Sequence, residues 1–272
     1  MATPLRAEHS GTEARVFDAR ATRADVLASE PSVDAEPLRF AAILLRAQGE
    51  AAAAIRSGHS VRALAGDPLE DLPSISAPLR SVLRAISRER AEPIAESARA
   101  RADEDDRTFG TRLGVFWKGG LSSAEDGLSR ALLRPYAETL RGLSVPAKRP
   151  RTRGRCPACG GGPGVGRRRS AESQGAVRTL LCALCGLEWT TPRIRCPGCF
   201  EAEPAKLPAF TSDRHPNVRI EACETCRRYV KTIDTSLDER ILPEVDDLRS
   251  LALDLWARLE GFERLEPGLA GI

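Results

Sequence analysis

Eight cysteines are the residues of this chain best equipped for chemistry. They fall in four pairs: Cys156-Pro-Ala-Cys159, Cys182-Ala-Leu-Cys185, Cys196-Pro-Gly-Cys199 and Cys223-Glu-Thr-Cys226. A two-residue gap lets one tight turn aim two thiolates at a single ion, and two such turns complete a tetrahedral four-thiolate site. Gly160 and Gly186 follow the first two pairs and permit the positive φ with which such a turn leaves the metal. Pro157 and Pro197 preset φ inside their turns. The intervals repeat, with 22 residues between Cys159 and Cys182 and 23 between Cys199 and Cys223. The spacing predicts two sites in tandem, Cys156/Cys159/Cys182/Cys185 and Cys196/Cys199/Cys223/Cys226. A cross-braced exchange of pairs is the alternative. Four thiolates suit zinc and a rubredoxin-type iron equally, so the expected cofactors are two metal ions, Zn or Fe. Thioredoxin-type redox chemistry needs one C-x-x-C on a βαβ scaffold, which four equivalent pairs on Gly/Pro-rich hairpins do not match.

Little else in the sequence suggests a reaction. Only three histidines are present, and no Ser/His/Asp or Cys/His set can be assembled once the cysteines are used as ligands. Asp246, Asp247 and Asp254 impose no acid–base dyad by their spacing. The segment GGGPGVGRRRS, residues 160–170, contains G-x-x-x-x-G but continues with arginines where a phosphate loop needs Lys then Ser/Thr. It reads as a loop within the first ribbon, with Arg167–Arg169 a solvated charge run. The acidic stretch Asp103–Asp106 reads as a loop or helix end. We expect a protein without catalytic residues.

The elements that must position the cysteines can be outlined from composition and periodicity. The chain has 272 residues, 42% hydrophobic and 29% charged, which fits a globular protein of about two domains. Residues 1–145 lack cysteine and read as a helical domain. PLRFAAILLRAQGEAAAAIRS, residues 37–57, predicts one helix, stopped by Gly58. A second is expected over 78–90. A third is expected from Ser122, which with Glu125 forms a capping box, through Leu128, Leu132, Tyr136 and Leu140, with a kink at Pro135. Residues 146–155, PAKRPRTRGR, read as a linker. Residues 156–232 hold the two ribbons, with 178–199 running strand, knuckle, strand, knuckle. Residues 233–272 hold a C-terminal helix from Pro243, with Val245, Leu248, Leu251, Leu255 and Leu259 on one stripe and Trp256 beside it. The fold class is therefore α+β.

Charge divides unevenly. The net +3 of the chain is the sum of +1 over residues 1–150, +8 over 151–232 and −6 over 233–272. Trp189 reads as ribbon core and is also carried as a candidate partner contact. Arg193 and Arg195 alternate onto one face, as do Tyr229 and Lys231, and these four make a rim for a protein partner or a solvated surface. The first thirty residues mix acids and bases without an apolar stretch. The longest apolar run, Phe40 to Leu45, is far too short to span a membrane. A cytoplasmic location is the expectation, where paired cysteines favour metal over disulfide.

The run L-x-C-x-x-C-x-x-x-W-x-x-x-R-x-x-C-x-x-C, Leu180 to Cys199, resembles the central signature of the formate dehydrogenase accessory (formation) proteins, FdhE. Also similar are CPACG at 156–160, E-x-C-x-x-C-x-x-Y-x-K from Glu221 to Lys231, DDLRSLALD from Asp246 to Asp254, and PLRFAAILLRAQ at 37–48. The resemblance implies a cytoplasmic maturation factor, not an enzyme, that contacts the catalytic subunit of formate dehydrogenase, a molybdopterin protein. It also implies rubredoxin-like metal centres held by the eight cysteines. The chain departs from the pattern in its Gly/Arg-rich stretch Gly160–Arg169 and in Ala209-Phe210, where a tyrosine is expected. Two other classes stay open at this point: a nucleic-acid-binding zinc ribbon, for which the basic middle segment speaks, and a rubredoxin-like electron carrier. A homodimer is an open alternative to a monomer.

Overall fold

The computed structural model describes residues 13–31, 35–88, 93–121, 126–169, 177–236, 238–269 and 271. At its centre is α2 (Ala35–His59), whose sequence carries apolar side chains on two sides rather than one. Leu44, Ala47, Ala51 and Ile55 face a core shared with α3 (Leu72–Ile86), α5 (Asp106–Trp117) and α6 (Gly127–Gly142). Leu38, Ala41, Ala42, Leu45 and Ala52 face a second core with Phe17, Ala21, Ala24 and Leu27 of α1 (Glu13–Ala28). Rows of alanine on α2 let both neighbours approach closely while keeping high helix propensity. A short α4 (Ile94–Ala102) completes the helical half.

The expected helices are present with shifted ends. α3 begins at Leu72, with a proline in its first turn, and carries Pro78 inside it. α6 is capped by Asp126, whose carboxylate accepts the Ser129 N–H at 2.9 Å. The expected capping residues Ser122 and Glu125 lie outside the described residues. Leu132, Tyr136 and Leu140 are buried as the stripe predicts. The acidic stretch ends as expected, with Asp105 accepting the Thr108 N–H to cap α5.

The ribbon half forms one mixed sheet. β2 (Val177–Cys182) pairs antiparallel with β1 (Pro163–Arg169) and with β3 (Glu188–Thr190). β4 (Ala209–Thr211), β5 (Val218–Cys223) and β6 (Arg228–Asp234) form an antiparallel meander. The two sets join because β1 runs parallel to β6, Gly166 opposite Thr232, which gives the order β3-β2-β1-β6-β5-β4. The glycine-rich segment expected to be a loop is therefore a central strand. Its glycines admit close neighbours: any side chain at Gly166 would collide with Thr232, and one at Gly164 would press on Ala183. The arginines that follow are paired, Arg167 and Arg169 with Glu188 and Arg168 with Asp234.

Two further expectations are corrected by packing. Residues 146–155 do not hang free: the Lys148 N–H donates to the Gly66 carbonyl at 2.8 Å, and the Trp117 indole donates to the Lys148 carbonyl at 3.2 Å. The C-terminal helix is not one piece but α7 (Pro243–Asp246), a 3-10 turn (Asp247–Ser250) and α8 (Leu251–Leu259), followed by β7 (Glu263–Arg264) beside β6. Val245 and Leu248 are buried, whereas Leu255 and Leu259 are 55% and 87% exposed. The face turned inward carries Asp247, Ser250 and Asp254 instead. It does so because Tyr229 and Lys231 of β6 point at it from the sheet. The Lys231 ammonium lies 2.9 Å from Asp247 and 2.5 Å from Asp254, Arg264 reaches both carboxylates, and the Tyr229 hydroxyl donates to Asp254 at 2.7 Å. Tyr229 and Lys231 are thus interior residues, not a rim.

Candidate metal centres

Each site is built from two hairpin turns that repeat one backbone pattern. In the first turn the Cys156 N–H donates to the Gly161 carbonyl and the Gly160 N–H to the Cys156 carbonyl. The same closing bond runs from Gly186 to Cys182, from Phe200 to Cys196 and from Arg227 to Cys223. The residue after every second cysteine is left-handed: Gly160 at φ 71°, Gly186 at 65°, Phe200 at 69° and Arg227 at 55°. Sequence reasoning found the two glycines and missed the two non-glycine positions, where this conformation costs about 1–2 kcal/mol each. Stacked cations brace both. Arg153 lies 4.3 Å from the Phe200 ring centroid, and the Arg227 guanidinium lies 3.8 Å from that of Phe262.

The turns gather the sulfurs in tandem, not cross-braced. Cys156, Cys159, Cys182 and Cys185 form one cluster and Cys196, Cys199, Cys223 and Cys226 the other, each with all four sulfurs within 4.8 Å of one another. Contacts across each cluster are 3.6 and 3.5 Å in the first and 3.7 and 3.6 Å in the second. These separations are far beyond a disulfide bond of about 2.05 Å. They approach the ~3.8 Å edge of a tetrahedron with metal–sulfur bonds of about 2.3 Å. Backbone N–H groups converge on the sulfurs as well, from Gly161 to Cys159 at 3.3 Å, from Leu184 and Cys185 to Cys182 at 3.4 Å, and from Gly198 to Cys196 at 3.3 Å. Such bonds stabilise thiolate, not thiol.

The electrostatics of the clusters point the same way. Hydrogen bonds from the three neighbouring sulfurs hold the Cys156 thiol far below the usual thiol range. The compensation falls on its neighbours: burial pushes Cys182 well up, and the surrounding sulfurs push up Cys185. In the second cluster burial pushes Cys196 and Cys226 up. Four crowded sulfurs ionise together only around a cation, so each set fits a tetrahedral metal ion, and the donors suit zinc or iron.

The two clusters differ in surroundings. The first is wholly buried and belongs to the helical core, with Leu184 packed beside it and the Arg141 guanidinium of α6 donating to the Cys185 carbonyl at 2.9 Å. The second lies at the surface, with Cys199 exposed and Cys226 half-exposed. Trp189 is half-buried against the first core, Arg193 is exposed and Arg195 half-buried near the second cluster. Tyr229 and Lys231 lie behind the sheet, away from any surface a partner could reach.

Comparison with known proteins follows the same division. A family model described as "FdhE, central domain" matches residues 155–193, which hold the first cluster, and one described as "FdhE, C-terminal domain" matches residues 194–269, which hold the second. A protein FdhE homolog of Pseudomonas putida is 29% identical over 94% of this chain and 87% of its own length. One from Aquifex aeolicus is 34% identical over 43% of this chain and 41% of its own length, so that match spans less than half of the relative. The crystal structure of the FdhE protein from Pseudomonas aeruginosa superposes with a TM-score of 0.71 over 96% of this chain and 97% of that one, at 24% identity, which shows a shared fold. Both FdhE domain models thus match in order, one on each four-cysteine cluster, and residues 155–269 are similar to the central and C-terminal domains of the FdhE proteins.

Proposed function

We propose that this protein is a cytoplasmic accessory factor in the maturation of formate dehydrogenase, that its eight cysteines hold two metal ions, and that it acts by binding the catalytic subunit rather than by catalysis. The observation that carries this reading is the pairing of two four-sulfur clusters with a match of one FdhE domain model to each. When bound, the metal supplies a fixed tetrahedral crosslink between hairpins. The chain's own residues do the rest: the turn amides orient the thiolates, the helical core shields the first set from water, and the sheet holds the second at the surface. The surface around Trp189, Arg193 and Arg195 is the part of the ribbon half we assign to the client.

The basic middle segment does not favour a nucleic-acid reading over this one. Arg155, Arg167, Arg169, Arg178, Arg219 and Arg227 are engaged by Glu266, Glu188, Glu221 and Glu224, so much of the positive charge is already neutralised inside the molecule.

Affinity capture with the tagged protein from cells producing formate dehydrogenase tests the proposal. The catalytic subunit is expected in the captured fraction and is expected to be depleted by Arg193→Glu with Arg195→Glu. Failure to recover the subunit under conditions where the protein keeps both metals would sink it. Elemental analysis of protein purified without added metal is expected to give two ions per chain and identifies them.

A further inference from the structure

Among the described residues, the buried cations come with counter-charges, with one exception. Arg20 and Arg134 share Glu138 and Glu244, Arg178 has Glu221, and Lys231 has Asp247 and Asp254. Arg130 of α6 is 8% exposed; its guanidinium makes no ion pair or hydrogen bond among the described residues, and its Nε is buried without an acceptor. Burial pushes its guanidinium down to about 10; the charge of Glu266 offsets part of this, and Arg134 and Arg264 add to the depression. Each of those neighbours is spoken for, Glu266 by Arg155, Arg134 by Glu138, and Arg264 by Asp247 and Asp254. An unpaired buried charge is among the costlier features a fold can keep, and such exceptions mark sites where a partner is supplied from outside.

Arg130 lines a cleft of about 380 Å³ in the helical half, within the range of about 300–1,000 Å³ typical of small-molecule sites. Phe40 and Leu44 of α2, Ile86 of α3 and Leu128 of α6 give it an apolar wall. A second residue with an unsatisfied group, Gln48, lines the same cleft. The Gln48 amide donates through Nε2 to the carbonyl of Ala131, the residue after Arg130, at 2.7 Å, and this bond fixes which end of the amide is which. Its Oε1 is buried without a donor. The cleft also contains a carboxylate, Asp126, but that group is taken by Arg101 and by Ser129. Among the described residues the cleft thus offers one unpaired cation, one unsatisfied hydrogen-bond acceptor and an apolar wall.

We propose that this cleft binds a carboxylate carrying an adjacent N–H donor and an apolar side chain: the carboxylate on Arg130, the N–H on Gln48 Oε1 and the side chain among Phe40, Leu44, Ile86 and Leu128. That chemistry is shared by a free N-acyl amino acid and by the apolar C-terminal residue of a peptide. The site is separate from the cysteine clusters and does not depend on the client proposed above.

Calorimetric titration of the metal-loaded full chain with N-acetylleucine tests it, beside N-acetylleucinamide, which lacks the charge, and an acetylated dialanyl-leucine peptide. Saturable one-to-one binding is expected for the acid, about tenfold or more weaker for the amide and for the acid on Arg130→Met. Tight binding of the tripeptide assigns the site to a chain end, and binding of N-acetylleucine alone assigns it to a free metabolite. No saturable binding by either acid, or equal binding by the amide or by Arg130→Met, overturns the proposal. The ligand-free variant supplies an independent check. Arg130→Met should melt at a higher temperature than the parent, because an unpaired charge has been removed, and a lower melting temperature would show that Arg130 has a structural partner.

Discussion

Single residues carry most of the consequences of burying charge. Lys231, Arg264, Asp247 and Asp254 form a closed set of two cations and two anions behind the sheet, with Lys231 and Asp254 both wholly inaccessible. Removing one member leaves a buried charge without its partner, so Asp254→Ala is expected to cost about 3–5 kcal/mol in urea unfolding of the metal-loaded protein. Tyr229→Phe removes only one hydrogen bond to Asp254 and is expected to cost about 1–2 kcal/mol. Glu138 makes the corresponding prediction for pH. Burial pushes its carboxyl up, and Arg20 and Arg134 outweigh burial and hold it below the ordinary value of 4.5. A carboxylate depressed in the folded state contributes stability above its unfolded pKa and loses it as pH falls through the folded one. The melting temperature should therefore be insensitive to this group above about pH 5 and decline below about 4.5, and Glu138→Gln should melt lower at neutral pH with a flatter acid limb. At this scale the cysteines were legible because C-x-x-C spacing is set by ligand geometry. Tyr229 and Lys231 were not, because alternation in β6 says which residues share a face but not that acidic side chains from a distant helix will meet that face.

Elements were legible where one periodicity dominated. α2 and α6 announced themselves by apolar stripes, whereas α1, EARVFDARATRADVLA, hides its buried Phe17, Ala21, Ala24 and Leu27 among charges that are themselves paired, as Arg20 is with Glu138. β1 was misread because glycine is poor in strands by propensity, and here the close approach of Thr232 requires it. The C-terminal stripe held only at its start, with Val245 and Leu248 buried, because farther on the polar face found buried partners and Leu255 and Leu259 were left outside. The two metal-binding hairpin pairs should also behave differently as elements. With Cys199 exposed and the first cluster buried, a thiol-blocking reagent or a chelator is expected to act in two phases, with the second site lost first. Mass spectrometry after brief alkylation should place the first label on Cys199 or Cys226, and initial labelling at Cys156 or Cys185 would contradict the burial order.

At the scale of the whole molecule, the sequence suggested a helical domain, a linker and a metal module, and the structure fuses them. The first cluster shares its apolar core with α2, α3, α5 and α6, and residues 146–155 lie against Gly66 and Trp117. Nothing local in PAKRPRTRGR specifies that docking, which depends on a φ of 86° at Gly66, a position where any side chain would strike the Pro146 carbonyl. Loss of the first metal should therefore loosen the helices as well as the hairpins. Cys156→Ser with Cys185→Ser is expected to lower the melting transition followed by helical circular dichroism, and Cys196→Ser with Cys226→Ser to leave it much closer to the parent.

The parallel seam between β1 and β6 also imposes an order on synthesis. The hairpin of β1 and β2 and all four ligands of the first cluster leave the ribosome well before Thr232, so the nascent chain carries a complete first site whose β1 edge is still open. Only when β6 emerges, after the second cluster has its own four cysteines, does that edge close. A ribosome-stalled chain ending before residue 228 should thus expose a glycine-rich strand to stray pairing, and the second ribbon acts as the cap that ends the exposure.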